Sequence, residues 1–211
     1  MLISISKLLK KRERAKNYYF YFCSMQSLLS REIMGIKRIL QNRQLSNVSP
    51  YKYEGRWRPG ENPLKLVGLI LYLEDFTELA LLQKVQTFFL GKGVAFRTCI
   101  FQKNEKMEIP EEFICHEVLM LNQQSVNWYG LLRPGHAEAF LHESFDLVIN
   151  LSKKYFFTTT YLASLAKATL KVGREMWPLS PYHVVLGSMQ SDDEDAFIHL
   201  LDNSLQFIRF E

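Results

Sequence analysis

The run Phe145-Asp-Leu-Val-Ile-Asn-Leu-Ser152 constrains the fold more than any other part of this 211-residue chain. It is short, rich in branched apolar residues and lacks the alternation of a strand with one face in water, so it reads as a strand covered on both faces. A second run, Leu66-Val-Gly-Leu-Ile-Leu-Tyr-Leu73, has the same character and stops on Glu74 and Asp75. Strands of this kind belong to parallel sheets, whose crossover helices cover both faces. Ligands of such sheets sit at the carboxyl ends of the strands, where the strand order reverses. The two runs are therefore expected to be parallel neighbours, with Asp75, Asn150 and Ser152 at the edge where a site would lie.

The residues between and after these runs alternate helical and extended patterns. Asp75-Phe-Thr-Glu78 is close to a capping box, and Phe76, Leu79, Ala80, Leu82, Val85 and Phe89 form a helical stripe that ends at Gly91-Lys-Gly93. A strand is predicted over Val94–Phe101, then a polar excursion from Gln102 to Glu112, a short strand over Val118–Leu121 and a loop from Asn122 to Pro134. A helix is expected from about His136 to His142. Thr158 to Thr160 offer an N-cap for a helix with Tyr161, Leu162, Leu165 and Ala168 on one side, stopping before Gly173. Tyr182–Gly187 reads as the last strand. Ser191-Asp-Asp-Glu194 then reads as a capping box opening a helix with Phe197, Leu200, Leu201, Leu205 and Ile208 inward. This order predicts an α/β fold over residues 59–211: a single, mostly parallel sheet flanked by helices, Rossmann-like or flavodoxin-like.

Charge divides the chain unequally. Residues 1–58 carry 13 Lys plus Arg against 3 Glu, a formal +10, and residues 59–211 carry 13 against 19, a formal −6. The leader is read as helical or disordered. It has three candidate partners: a nucleic acid or ribonucleoprotein, an anionic lipid surface, or the acidic body itself. Lys7–Lys16 followed by the aromatic run Tyr18–Phe22 has the order of a secretion signal. The apolar part is interrupted by Ser24, no small-x-small cleavage site follows, and the run falls well short of the roughly 18 apolar residues that span a bilayer. Peripheral attachment to a membrane stays open. Met25 and Met34 are alternative starts, and the chain from Met34 reads as an ordinary basic N-terminus. Three distant cysteines, Cys23, Cys99 and Cys115, do not make a disulfide framework and favour a reducing, cytoplasmic setting.

The first strand, Asn127-Trp-Tyr-Gly130 with Pro134 after it, Phe145–Leu151 and Ala166–Gly173 together resemble a domain-of-unknown-function family of small cytoplasmic proteins from Bacteroidota, over about residues 60–210. The resemblance implies the fold and no activity. Asp146-Leu-Val-Ile-Asn-Leu151 followed by Ala166-Lys…Gly173 is also similar to one half of the sugar-nucleotide-dependent heptosyltransferases. The chain is too short for both halves of those enzymes, which argues against glycosyl transfer by a monomer.

No reaction motif accompanies the strands. Gly91-Lys-Gly93 follows a helix and precedes a strand, so it is a helix stop and not a phosphate loop, which must open a helix. Cys115-His116 point oppositely on a strand, and His136, His142, His183 and His199 lack partners at metal-ligand spacing. Asp192–Asp195 is explained as a helix start. Leu186-Gly-Ser-Met-Gln190 fails as a nucleophile elbow, and Cys99 and Cys115 read as packed thiols. Glu74 and Asp75 are a nominal acid/base pair, with Asp75 the better helix cap.

The ligand-binding candidates are thus positional: Asp75, Asn150 and Ser152 at the strand ends, Asn127 and Trp128 in a loop entering from the same edge, and Lys171 and Arg174 flanking Gly173, suited to a small phosphorylated ligand. The plainer reading is that Asn150 and Ser152 satisfy loop amides, Trp128 closes the core edge and Lys171 is solvated. The expected function is a binding or interaction module without catalysis, its basic leader on an anionic partner. The alternative is a nucleotide- or sugar-nucleotide-binding enzyme of transferase type using the strand ends.

Overall fold

A computed structural model describes residues 33–48, 64–74, 76–104, 109–110, 118–177, 179–187 and 194–207. The chain falls into two compact units, residues 1–42 and 43–211. The described residues of the first unit are all helical and belong to α1, residues 33–47.

The second unit is built on one sheet. In chain order its elements are β1 (Leu66–Leu73), α2 (Thr77–Gly91), β2 (Ala95–Gln102), β3 (Val118–Leu121), a 3-10 turn (Gln123–Ser125), α3 (Glu138–His142), β4 (Ser144–Asn150), α4 (Phe157–Leu165), β5 (Lys167–Gly173), β6 (Val184–Val185) and α5 (Glu194–Phe207). The strand order is β3-β2-β1-β4-β5-β6, and every pairing is parallel. The chain steps outward from β1 to β3, returns, and steps outward from β4 on the other side. β1 and β4 pair from Val67↔Leu147 to Ile70↔Asn150, so the two buried runs are parallel neighbours at the reversal point. This is the Rossmann order and not the 2-1-3-4-5 order of flavodoxin.

Alternate side chains serve two layers. Leu69, Leu71 and Leu73 of β1, Leu147 and Ile149 of β4, and Leu170 and Val172 of β5 pack with Leu79, Leu82, Val85 and Phe89 of α2 and with Phe197, Leu201 and Leu205 of α5. On the other face Ile70, Cys99, Phe101 and Val148 meet Phe140 of α3 and Leu162 and Ala163 of α4. Each of the fully buried leucines is worth about 1.5–3 kcal/mol over leaving it in water, which is why both faces of the central strands had to be apolar. At the amino end of the sheet, Asp146 Oδ2 accepts the amides of Lys65 (2.7 Å) and Leu66 (3.0 Å), fixing where β1 begins.

Several elements differ from the sequence expectation. The helix expected to run from Thr158 to just before Gly173 ends at Leu165. Lys167–Gly173 is a sixth strand, because Ala168, Leu170 and Val172 alternate with Thr169 and Lys171 at a two-residue period that outweighs the accidental helical spacing of Leu162, Leu165 and Ala168. The N-cap of α2 is Phe76, whose side chain makes no capping bond, and Asp75, on which the expected capping box rests, lies outside the described residues. The helix does stop at Gly91, where Gly93 takes φ +70°, a value that glycine adopts without steric cost. The last strand is two residues long where six were expected. Of the residues read as facing inward on the terminal helix, Phe197, Leu201 and Leu205 are buried and Leu200 is half-buried. Ile208 and the capping residue Ser191 lie outside the described residues, as do Cys23, Cys115 and the segment Tyr18–Phe22.

Candidate functional site

At the reversal point the carboxyl ends of β1 and β4 are stitched together by the residues nominated to line a site. Leu151 N donates to Ile70 O (2.8 Å), and Tyr72 N donates to Ser152 Oγ (3.0 Å), extending the pairing beyond the strands. Ser152 N donates to Asn150 Oδ1 (3.1 Å), and Asn150 Nδ2 donates to the Tyr182 phenol oxygen (2.6 Å). Asn150 and Ser152 are 4% and 5% exposed. Thr160 also hydrogen-bonds the phenol, whose burial pushes its pKa up to about 12. The Tyr182 ring lies against Gly173 so closely that a β-carbon there would stand 2.2 Å from Cδ2. That contact explains a glycine at the end of a buried strand.

The other nominated residues are spread around this centre. Lys171 lies on the α4 side of β5, 2% exposed, and its ammonium donates to Ser164 O (2.9 Å) in the last turn of α4. It is not solvated, and burial lowers its pKa to about 8. Its amide donates to His183 Nδ1 (2.9 Å), while His183 N donates to Lys171 O (2.8 Å), so one histidine holds β6 to β5 at two points. Burial, with Lys171 as a second cause, lowers the His183 pKa, in keeping with an acceptor nitrogen. Arg174 follows β5, gives its amide to Asn150 O (3.2 Å) and sets its guanidinium over the Phe197 ring of α5 at 5.6 Å. Lys171 and Arg174 thus serve different layers and do not converge. Asn127 closes its own loop, its Oδ1 accepting the amides of Tyr129 (3.2 Å) and Leu131 (3.0 Å). Trp128 at the loop's tip is 59% exposed, so it does not seal the core. Thr158 Oγ1 donates to Gly130 O (2.8 Å), which brings this loop to the first turn of α4. Asp75 lies outside the described residues.

Sequence reasoning named Glu74 only as a nominal acid and missed the lysines that pair with it and the aromatic rings near the same strand ends. Glu74, just after β1, pairs with Lys103 after β2 and with Lys154 (2.8 Å) after β4. The Lys103 and Lys154 hydrogen bonds hold its carboxyl below the usual carboxylate range, so it stays ionised and is a poor proton donor near neutrality. At the same strand ends the Tyr72 and Phe156 rings stack with centroids 4.1 Å apart at 17°, with Phe101 4.7 Å from Phe156. Tyr155 and Trp177 meet at 5.6 Å, joining the β4–α4 loop to the β5–β6 loop. Sequence contained a signal for Tyr182, a glycine ending an apolar strand, but none that pointed to its partner.

The chemistry open to this arrangement is narrow. In Rossmann proteins the β1 turn carries glycines that let a pyrophosphate approach the helix start; here the same turn reads Leu73-Glu-Asp-Phe-Thr77, carboxylates and no glycine. Burial pushes the Cys99 thiol up, away from a reactive thiolate. Among the described residues no group of three or more His, Cys, Asp or Glu is placed to hold a metal ion, and no helix is long and apolar enough to cross a membrane. An open groove of about 430 Å³ lies elsewhere, between α2 and α5, where Lys84 pairs with Asp195 (2.8 Å) and Glu194 (3.3 Å).

No curated protein and no solved structure matches this chain significantly. A family model described as a family of unknown function, DUF6913, matches residues 36–208, which include every described element of the sheet and its helices. The chain therefore belongs to the DUF6913 family.

Proposed function

We propose that this protein is a binding module of the cytoplasm that contacts a nucleic acid or ribonucleoprotein through its basic segment, residues 1–58, and carries no catalytic centre at its strand ends. The observation that carries the reading is the division of charge, +10 in that segment against −6 in the remainder. A segment so charged draws phosphates from beyond contact range and releases counterions on binding. The stitched crevice supports the second half: Asn150 and Ser152 spend their polar atoms on Tyr182, Tyr72 N and each other. The test is binding of the full chain to RNA by fluorescence anisotropy across a salt series. The logarithm of affinity should fall linearly with the logarithm of salt, and replacing Lys7, Lys10, Lys11, Arg12, Arg14 and Lys16 by Ser should flatten the slope. Affinity that is insensitive to salt and to those substitutions removes the reading, and sedimentation with anionic vesicles in place of RNA redirects it to a membrane surface.

One observation favours a second reading, a small phosphorylated or sugar-nucleotide ligand at the reversal point. Lys103 and Lys154 converge there on the single carboxylate of Glu74, and a phosphate would suit the same two ammonium groups. A thermal-shift series with nucleotides and sugar nucleotides decides it, because ligand at about 100 times its dissociation constant adds about 2.7 kcal/mol.

A further inference from the structure

We propose that the segment from Leu179 to Leu186 is an acid-released strap: protonation of His183 detaches β6 from β5, lifts the Tyr182 ring off Gly173 and opens the crevice at the carboxyl end of β4. The inference goes beyond the binding reading and does not depend on it.

The latch is the His183 ring. Within a sheet a strand amide ordinarily donates to a carbonyl, but the Lys171 amide donates to His183 Nδ1 (2.9 Å), and His183 N returns a bond to Lys171 O (2.8 Å). A protonated Nδ1 is a donor and cannot accept, so it would confront that amide with a second N–H. His183 is exposed, and protons reach it from solvent. Charge acts in the same direction. From β5 the Lys171 ammonium faces the ring; its pKa of about 8 keeps it cationic below pH 7, where it repels a charge on the histidine. On this layer α4 brings Tyr161 as its one titratable side chain, and Tyr182 adjoins in the chain; burial raises both phenols, so neither titrates with the histidine. Arg174 and Glu175 follow β5, with Arg174 turned to Phe197 in the other layer.

What the latch holds is otherwise weakly attached. β6 pairs through Val184 and Val185, one more amide bond runs from Leu186 N to Gly173 O (3.1 Å), and all three side chains are only half-buried. Leu179, where the strap begins, has φ +63°, a left-handed value disfavoured for a residue with a side chain. At the inner end Tyr182 engages Asn150 Nδ2 and Thr160, both almost fully buried. Withdrawing the ring frees these two groups beside a glycine backbone, so a small ligand with an acceptor atom can then reach Asn150.

The test is amide hydrogen exchange of the full chain by NMR at pH 7 and pH 5, corrected for the intrinsic rates and read at the Lys171, His183 and Leu186 amides. The histidine pKa is lowered in the closed form, so closure is fully favoured above about pH 6.5 and weakens by at most about tenfold per pH unit below it. Protection at the three amides should fall about 3- to 25-fold between the two pH values, while the β1 amides keep theirs. H183N, whose side-chain oxygen accepts at any pH, should abolish the step. Y182F should lower protection about 2- to 10-fold at both pH values and leave the step in place, because it removes the Asn150 bond and not the latch. Protection that does not change with pH in the wild type overturns the strap without recourse to any variant. An equal step in H183N overturns the assignment to His183, and a parallel loss at the β1 amides replaces local release by unfolding of the whole sheet.

Discussion

Replacing Gly173 by Ala tests whether Tyr182 seals the end of β5 as the geometry requires. The new β-carbon would stand 2.2 Å from Cδ2, 2.5 Å from Cε2 and 2.6 Å from Cγ of the ring. Ordinary carbon contacts are about 3.5–4.0 Å, so the ring must retreat by an ångström or more, and because Cγ is among the atoms struck, a swing of the ring tip does not relieve it. Forced overpacking of this kind costs about 1–3 kcal/mol. Retreat also breaks the Asn150–Tyr182 bond, leaving an amide 4% exposed short of a partner for about another 1–3 kcal/mol. Alanine returns roughly 0.5–1 kcal/mol over glycine in a strand. The net expectation is a loss of about 2–4 kcal/mol in urea unfolding followed by circular dichroism, with the m-value unchanged. In a Y182A background the same substitution should be neutral or slightly stabilising, a coupling of about 2–5 kcal/mol between the two positions. A loss below about 0.5 kcal/mol in the wild type, or an equal loss in both backgrounds, would refute the reasoning.

Lys171, lowered by burial to about 8, binds fewer protons folded than unfolded between pH 8 and 10.5, so its cost is full below pH 8 and fades as pH rises through that window. K171M should therefore be more stable than wild type at pH 7 by roughly 2 kcal/mol, the gap closing by pH 10.5; a constant gap in paired urea titrations contradicts this. His183 accepts at Nδ1 and its pKa is lowered, so the stability that depends on the neutral ring is lost as pH falls below about 6.5; H183N should flatten the acid limb of the wild-type curve. In a chain with Cys23 and Cys115 replaced by Ser, Cys99 should react with a thiol reagent only at the rate of unfolding, and prompt labelling of the native protein would contradict its burial. D146A removes the acceptor for two amides at the start of β1 and should cost about 1–3 kcal/mol, read as a lowered urea midpoint.

The centre of the fold was legible because burial on both faces leaves no choice of residue: Leu66–Leu73 and Phe145–Asn150 admit little but apolar side chains. β5 was not legible, because the preceding helix supplies leucine and alanine at a spacing that carries a helical stripe on to Ala168. What makes Lys171 acceptable there is the Ser164 carbonyl, a partner set by how α4 docks and absent from any local pattern. The strand ends were legible as places, since Asn150 and Ser152 stop an apolar run. Their occupation was not, since it depends on Tyr182, 32 residues from Asn150. Glu74 was visible only as an acid. Its two lysines come from other strands, and pairing across a reversal point leaves no trace in neighbouring residues.

The position of β1 has a consequence for synthesis. Its partner on one side, β2, emerges from the ribosome soon after it, whereas its partner on the other side, β4, is complete only at Asn150. At about 5–20 residues per second, a row of unpaired amides and carbonyls on the most apolar strand waits for seconds in the nascent chain. A polypeptide halted before Asn150 would carry that open flank permanently, so ribosome stalling in the β3–β4 stretch, more than any point substitution, is the event that would turn this sheet into a template for aggregation.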